Sequence, residues 1–283
     1  MFNKILIATD LSKASDEIVC TLASLKPLGT RQILLLECLN VRDVGGLAEN
    51  LAEQITPRLE QQRDRVAALG FETEARTVIG LPHIEIEREA AEFGSSLIVI
   101  GSRGVSGFRE LLLGSVASAV IHHSSHPVLV IPVAGGPAEE PPPCQATDCD
   151  YLRSVLVPTD FSDNAELAYG HVRELARRGA RSITLLHVLP PDASGKSRAL
   201  AESRLDRLSE DLRSLGAAEV SIEVVEGQAK KEVIDRTAAP AHSLVVVGNQ
   251  GQGYVAGAML GSVSHAVAYR SEIPVLFVPL PRN

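Results

Sequence analysis

One glycine pattern occurs twice, at the same place in two similar halves of the chain. Gly101-x-x-Gly104 is followed by nine residues and then Gly114-Ser115, and Gly248-x-x-Gly251 by nine residues and then Gly261-Ser262. Each copy follows an apolar run (Leu97 to Ile100; Leu244 to Val247) and leads into a helical pattern that closes on His-Pro or Ile-Pro and a further apolar run. Glycine at the end of a parallel strand lets the backbone turn tightly and come close to a ligand. Its N–H groups, with the start of the next helix, then make a place for an anion. A lone glycine pair is a weak signal; a duplicated one in the same strand-to-helix context is specific.

The remainder of the chain aligns to the same duplication. Lys4 to Ser12 (KILIATDLS) matches Ser154 to Ser162 (SVLVPTDFS), Gln32 to Leu39 matches Ser182 to Leu189, and Pro127 to Val133 matches Pro274 to Leu280. The stretch between the halves is rich in Gly, Pro and acids and has no apolar period, which reads as a linker. Two domains follow, 1–135 and 150–283, joined by 136–149 and each of ordinary size for one core. Short β-branched runs alternate with amphipathic segments, the pattern of βαβ units on a parallel sheet covered on both faces. The first half predicts strands near 3–9, 32–39, 72–79, 96–101 and 127–133, and helices near 13–26, 47–69, 82–93 and 114–124. Ser12 or Ser15 is placed to cap the first helix, as is Ser162 in the second half. Pro132 and Pro279 fall inside the final apolar runs, which suits edge strands.

Composition removes several function classes. The formal charge is −8 with no basic stripe, which argues against direct nucleic-acid binding. No segment is long and apolar enough to span a membrane, and Met1-Phe2-Asn3-Lys4 runs directly into the first apolar run, so a cytoplasmic protein is expected. Cys20 and Cys38 read as small buried hydrophobes, whereas Cys144 and Cys149 share the linker. His122, His123 and His126 end a helix; helical spacing puts His122 and His126 on one face. That position suits partly positive side chains better than a metal site. Gly251-Gln252-Gly253-Tyr254-Val255-Ala256 imitates a dinucleotide fingerprint, but it does not follow the first strand of its unit, and Glu272 precedes the last strand instead of ending one. No Gly-x-x-x-x-Gly-Lys-Ser/Thr run is present.

With these residues assembled, both halves resemble the universal stress protein family. The resemblance covers nearly the whole chain apart from the linker and rests on the Gly-x-x-Gly-x9-Gly-Ser signature. The second half is the closer match, through Val157 to Ser162, Leu185-Leu186-His187-Val188 and Gly261-Ser262-Val263-Ser264. The resemblance implies two tandem α/β domains, each a five-stranded parallel sheet of order 3-2-1-4-5, with adenine nucleotide (ATP or AMP, Mg2+ accompanying it) at the carboxyl ends of the strands. Carried onto this chain, the strand-end stretches Ala8-Thr9-Asp10 and Pro158-Thr159-Asp160 would meet adenine or ribose. Backbone groups at Cys38 and Val188 would meet the base. Gly101, Gly104, Gly248 and Gly251 would let the backbone pass ribose and phosphate, and Gly114-Ser115 and Gly261-Ser262 would donate to phosphate oxygens. Ser264 supplies a second hydroxyl where the first half has Ala117; Arg103 supplies a cation where the second half has Gln250. In the family the fifth strands pair antiparallel, which implies an intramolecular pseudo-dimer and a further pairing into a homodimer.

Each signal also has a structural reading. The glycines can shape a turn that holds nothing, and Asp10 and Asp160 can cap the first helix of each half. The function expected is a nucleotide-dependent stress-response regulator with an unnamed protein partner and no catalytic residue. A weak ATPase or phosphotransfer enzyme, and a nucleotide-free interaction module, are the alternatives.

Overall fold

In the computed structural model, residues 1–44, 48–102, 113–133, 150–238, 241–251 and 260–281 are described. They fall into two compact units, Met1–Cys149 and Asp150–Asn283. The linker 136–149, Arg103 and Gly104, and positions 252–256 of the false fingerprint lie outside the described residues.

The first unit runs β1 (Lys4–Thr9), α1 (Lys13–Thr21), β2 (Gln32–Asn40), α2 (Val41–Val44), α3 (Ala48–Ala68), β3 (Glu72–Gly80), α4 (Pro82–Phe93), β4 (Leu97–Gly101), α5 (Ser115–His123) and β5 (Val128–Ile131). The second repeats the order: β6 (Ser154–Pro158), α6 (Asp163–Arg177), β7 (Ser182–Leu189), α7 (Gly195–Ser214), β8 (Glu219–Glu226), α8 (Ala229–Thr237), β9 (Leu244–Gly248), α9 (Ser262–Arg270) and β10 (Val275–Val278). All strand pairs within a unit are parallel, in the orders β3-β2-β1-β4-β5 and β8-β7-β6-β9-β10. The 3-2-1-4-5 order is therefore present in each half.

The strand sequences explain this arrangement. Ile5, Leu6 and Ile7 of β1, and Val155, Leu156 and Val157 of β6, are buried, as are Leu97 to Ile100 and Leu244 to Val247. Strands buried on both faces need continuous apolar runs, and each such side chain contributes about 1.5–3 kcal/mol. In the first unit α1 packs with α3 and α4 with α5; α6 pairs with α7 and α8 with α9 in the second. Because β1 lies between β2 and β4, and β6 between β7 and β9, the chain reverses its direction of sheet growth at these central strands. A crevice opens there, outside the carboxyl ends.

Several details differ from the sequence expectation. The first helix ends at Thr21, whose hydroxyl donates to Ile18 O (2.8 Å), and continues as a 3-10 turn over Leu22–Leu25. The short helix α2 was not expected. Pro132 and Pro279 each follow the last strand residue instead of lying within it, consistent with their missing N–H. Helix α5 ends at His123, so helical spacing does not bring His126 to the face of His122; His126 Nδ1 lies 3.1 Å from Glu87 Oε1. Cys20 is disulfide-bonded, against its reading as a plain apolar residue, and Cys38 is the free thiol among the described residues. Ser12 rather than Ser15 caps α1, accepting from Ser15 N, and Ser162 caps α6.

One ion pair exchanges its signs between the halves. Arg76 on β3 meets Glu89 on α4 at 3.0 Å, and at the equivalent positions Glu223 on β8 meets Arg236 on α8 at 2.8 Å. The strand-to-helix geometry asks for a pair and is indifferent to its polarity.

Glu87 of α4 ties this helix to the turn before β5. It accepts from Ser124 Oγ (2.8 Å), Ser125 N (3.0 Å) and the Ser125 hydroxyl. Burial works against its ionisation, but the hydrogen bonds from His126, Ser125 and Ser124 outweigh that and lower its pKa to about 2. The unfolded chain takes up the proton nearer 4.5, so stability is lost as pH falls from about 4.5 towards about 2. Glu87→Gln is expected to lose less stability than the native chain between pH 5 and pH 3. Urea midpoints at the two pH values measure this; equal losses would remove Glu87 from the account.

Candidate functional site

The site begins with a four-residue turn leaving the central strand. In Thr159-Asp160-Phe161-Ser162, Phe161 N–H donates to Thr159 Oγ1 (3.1 Å) and Ser162 N–H to Asp160 Oδ1 (3.0 Å). In Thr9-Asp10-Leu11-Ser12, the corresponding bonds are Leu11 N–H to Thr9 Oγ1 (3.1 Å) and Ser12 N–H to Asp10 Oδ1 (3.0 Å). Both hold their third residue in the left-handed region, at φ 54° for Leu11 and φ 59° for Phe161. A non-glycine residue there costs on the order of 1–3 kcal/mol. The two side-chain-to-backbone bonds, each worth about 1 kcal/mol, offset much of it. The turn fixes one carboxylate oxygen of each aspartate as a structural acceptor. The aspartates therefore do not cap the helices themselves: Oδ1 accepts from the N–H of the capping serine, Ser12 or Ser162.

In the second half Oδ2 of Asp160 faces Gly251: a Cβ placed on Gly251 would lie 2.6 Å from it. Around this contact lies a cleft of about 370 Å³. It gathers all nine second-half residues singled out from the sequence: Pro158, Thr159, Asp160, Val188, Gly248, Gly251, Gly261, Ser262 and Ser264. The end of β7 contributes Leu186 and Val188, α8 contributes Ala229 and Val233, and the start of α9 contributes Gly261 to Ser264. Gly261 is the N-cap of α9, so the first N–H groups of that helix open at the cleft. One wall is thus apolar, and the other is built of carboxylate, hydroxyl and backbone N–H groups.

Asn164 and Ala165 were not found from the sequence. Asn164, 2% exposed, donates from Nδ2 to Val278 O (3.0 Å) and accepts from Gln250 N–H at Oδ1 (2.7 Å), binding the glycine loop to α6. A Cβ on Gly248 would lie 2.6 Å from the Asn164 side chain and 2.9 Å from its backbone oxygen. Gly248 therefore serves packing, and Gly251 serves the cleft. Ser264, read as a phosphate ligand, donates its hydroxyl proton to Gly248 O (2.6 Å) and braces the same loop. The difference between Ala14 and Asn164 in the aligned halves was the available signal for this brace.

The first half places its residues alike but surrounds them differently. Ala8, Thr9 and Asp10 end β1, Cys38 lies on β2, Gly101 ends β4, and Gly114-Ser115 opens α5. Ser15 stands where the second half has Ala165, and its hydroxyl donates to Asp10 Oδ1. Glu37 stands where the second half has His187. It is buried, with no hydrogen-bond partner for Oε2. Burial first, then the Asp10 carboxylate, push Glu37 up to about 8, against the pull of Arg58. Burial, Glu85 and Glu37 push the Cys38 thiol up to about 12, which makes it a poor nucleophile. At the end of β2, a buried acid and a thiol thus stand where the second half has His187 and Val188.

The two glycines separate in a stability measurement. Gly248→Ala is expected to destabilise the protein by about 1–3 kcal/mol, because backbone must move. Gly251→Ala displaces only the Asp160 carboxylate and should leave the melting temperature close to native. Equal losses would merge the two roles.

The chain matches the universal stress protein family over residues 1–132 and 152–279. It is 28% identical over 154 residues to a universal stress protein of Methanocaldococcus jannaschii, covering 46% of this chain and 95% of that one. A universal stress protein of Mycolicibacterium smegmatis is 29% identical over 239 residues, 78% of this chain and 75% of its own. Among solved structures, a universal stress protein from Archaeoglobus fulgidus superposes with a TM-score of 0.78 at 25% identity, covering 98% of both chains.

Proposed function

This chain belongs to the universal stress protein family, and from that premise we propose that its second half binds an adenine nucleotide, ATP or AMP, as a regulator of a cytoplasmic stress response. The observation that carries this reading is the convergence of the Asp160 carboxylate, the glycine loop and the start of α9 on one cleft of about 370 Å³. Its apolar wall of Leu186, Val188, Val233 and Val247 suits a planar base. Gly251 leaves open the space that a Cβ would fill beside Asp160. The donors at the start of α9 suit phosphate, because a helix N-terminus favours negative charge.

In this reading Asp160 holds ribose hydroxyls, backbone groups at Val188 meet adenine, and Gly261 and Ser262 donate to phosphate oxygens. Pro158 and Thr159 shape the turn, while Gly248 and Ser264 brace the loop. A Mg2+ ion arriving with ATP would be held through the phosphates. The first half is read as empty of nucleotide, because Glu37 and Glu85 crowd the end of β2 with acids where the second half has an apolar wall. Regulation follows if a protein partner distinguishes the nucleotide-filled cleft from the empty one.

Calorimetric titration with ATP and with AMP tests the assignment. One equivalent per chain is expected, with binding weakened about tenfold or more in Asp160→Ala, as for loss of a hydrogen bond to a charged group. Asp10→Ala should leave the titration unchanged. Two equivalents, or a loss in Asp10→Ala alone, would overturn the reading.

A further inference from the structure

The geometry points to a second ligand site, in the first half between α1 and α3, for a small oxyanion that carries an O–H group. A cavity of about 180 Å³ there is lined by Leu11, Asp16, Arg58, Gln61, Gln62 and Arg65. It is separate from the nucleotide reading and does not rest on it.

The duplication shows why the space exists. Helices α3 and α7 end in Leu69-Gly70 and Leu215-Gly216, so counting back sets Arg58 against Arg204, Gln62 against Leu208 and Arg65 against Asp211. In the second half two aromatic rings occupy this region. Phe161 packs on His187 (4.6 Å between ring centres) under the Arg204 guanidinium (5.1 Å), and Tyr169 donates its hydroxyl to Leu208 O (2.8 Å). The first half has Leu11 for Phe161 and Val19 for Tyr169. Both rings are gone, and the lining has become polar.

That lining has a definite chemistry. Two guanidinium groups and one carboxylate line it: Arg65 donates to Asp16 Oδ1 (2.6 Å), and Arg58 donates to Leu11 O (2.7 Å). A guanidinium carries five N–H donors, and the bond to Leu11 O uses one of those on Arg58. Gln62 is 4% exposed, donates to Asp16 Oδ1 (3.3 Å), and leaves its carbonyl oxygen Oε1 buried with no partner. A buried acceptor without a donor keeps its full desolvation penalty. A ligand that relieves it must bring a donor, and one that meets Arg58 must bring oxyanion acceptors. Hydrogen phosphate has both; sulfate has the acceptors and no proton to donate.

The experiment is equilibrium binding of inorganic phosphate to the full chain at neutral pH and constant ionic strength, with sulfate as competitor. The nucleotide cleft is saturated with AMP throughout. One phosphate per chain is expected, displaced by sulfate at least tenfold less well than by phosphate. Two variants restore second-half character and should keep the fold: Leu11→Phe refills the space, and Gln62→Leu removes the orphan acceptor. Leu11→Phe is expected to abolish phosphate binding, and Gln62→Leu to bring phosphate and sulfate level; both should leave AMP binding native. No phosphate bound at millimolar concentration, equal competition by sulfate in the native chain, or phosphate retained in folded Leu11→Phe would each overturn the proposal.

Discussion

The structure of each half depends on how the chain leaves its central strand. At Thr9-Asp10-Leu11-Ser12 and Thr159-Asp160-Phe161-Ser162, two side-chain acceptors hold a bulky residue at positive φ. That conformation turns the chain sharply into the first helix and sets an aspartate at the point where strand order reverses. Strain of this kind persists when the surroundings over-determine it, and such strain clusters at functional sites. Here it stands at the mouth of the crevice that the topology opens. With this turn in place, one carboxylate oxygen of each aspartate is committed to the backbone, and in the second half the other oxygen of Asp160 faces Gly251.

The duplicated halves act as an internal control on which features the fold needs and which serve a ligand. The turn, the strand order and the paired charges between the third strand and the helix that follows it are common to both, the charges even with exchanged sign. Features around the crevice diverge. Ala165, His187 and Val188 in the second half correspond to Ser15, Glu37 and Cys38 in the first. A buried carboxylic acid and a half-buried thiol thus stand at the end of β2 where the second half has an imidazole and an apolar side chain. The same divergence, one helix away, exchanges two aromatic rings for aliphatic residues and opens a polar space beside Arg58. The repeat has kept one scaffold and given its copies different surroundings.

Much of this was legible in the sequence, for physical reasons. Strands such as Leu97 to Ile100 are buried on both faces, so their apolar runs are continuous and their positions plain. The duplicated glycines marked the crevice, and the nine second-half residues named from them and from the family resemblance line one cleft. What escaped depends on neighbours distant in the chain. Asn164 reads as an ordinary first-turn residue until Gly248 and Val278 are brought beside it. Ser264 reads as a phosphate ligand until its proton is found on Gly248 O. The positive φ of Leu11 and Phe161 runs against residue preference, because tertiary context overrides it. Glu37 carries no signal in the sequence, and only burial beside Asp10 gives it its character.

We propose that the approach of Asp160 to Gly251 makes the second half the nucleotide-holding half. The most direct measurement is the small-molecule content of freshly purified protein, released by denaturation and quantified by chromatography with mass detection, for the native chain and for Gly251→Val. The account predicts about one equivalent of ATP or AMP per native chain and none in the folded variant. Nucleotide retained in Gly251→Val would contradict it.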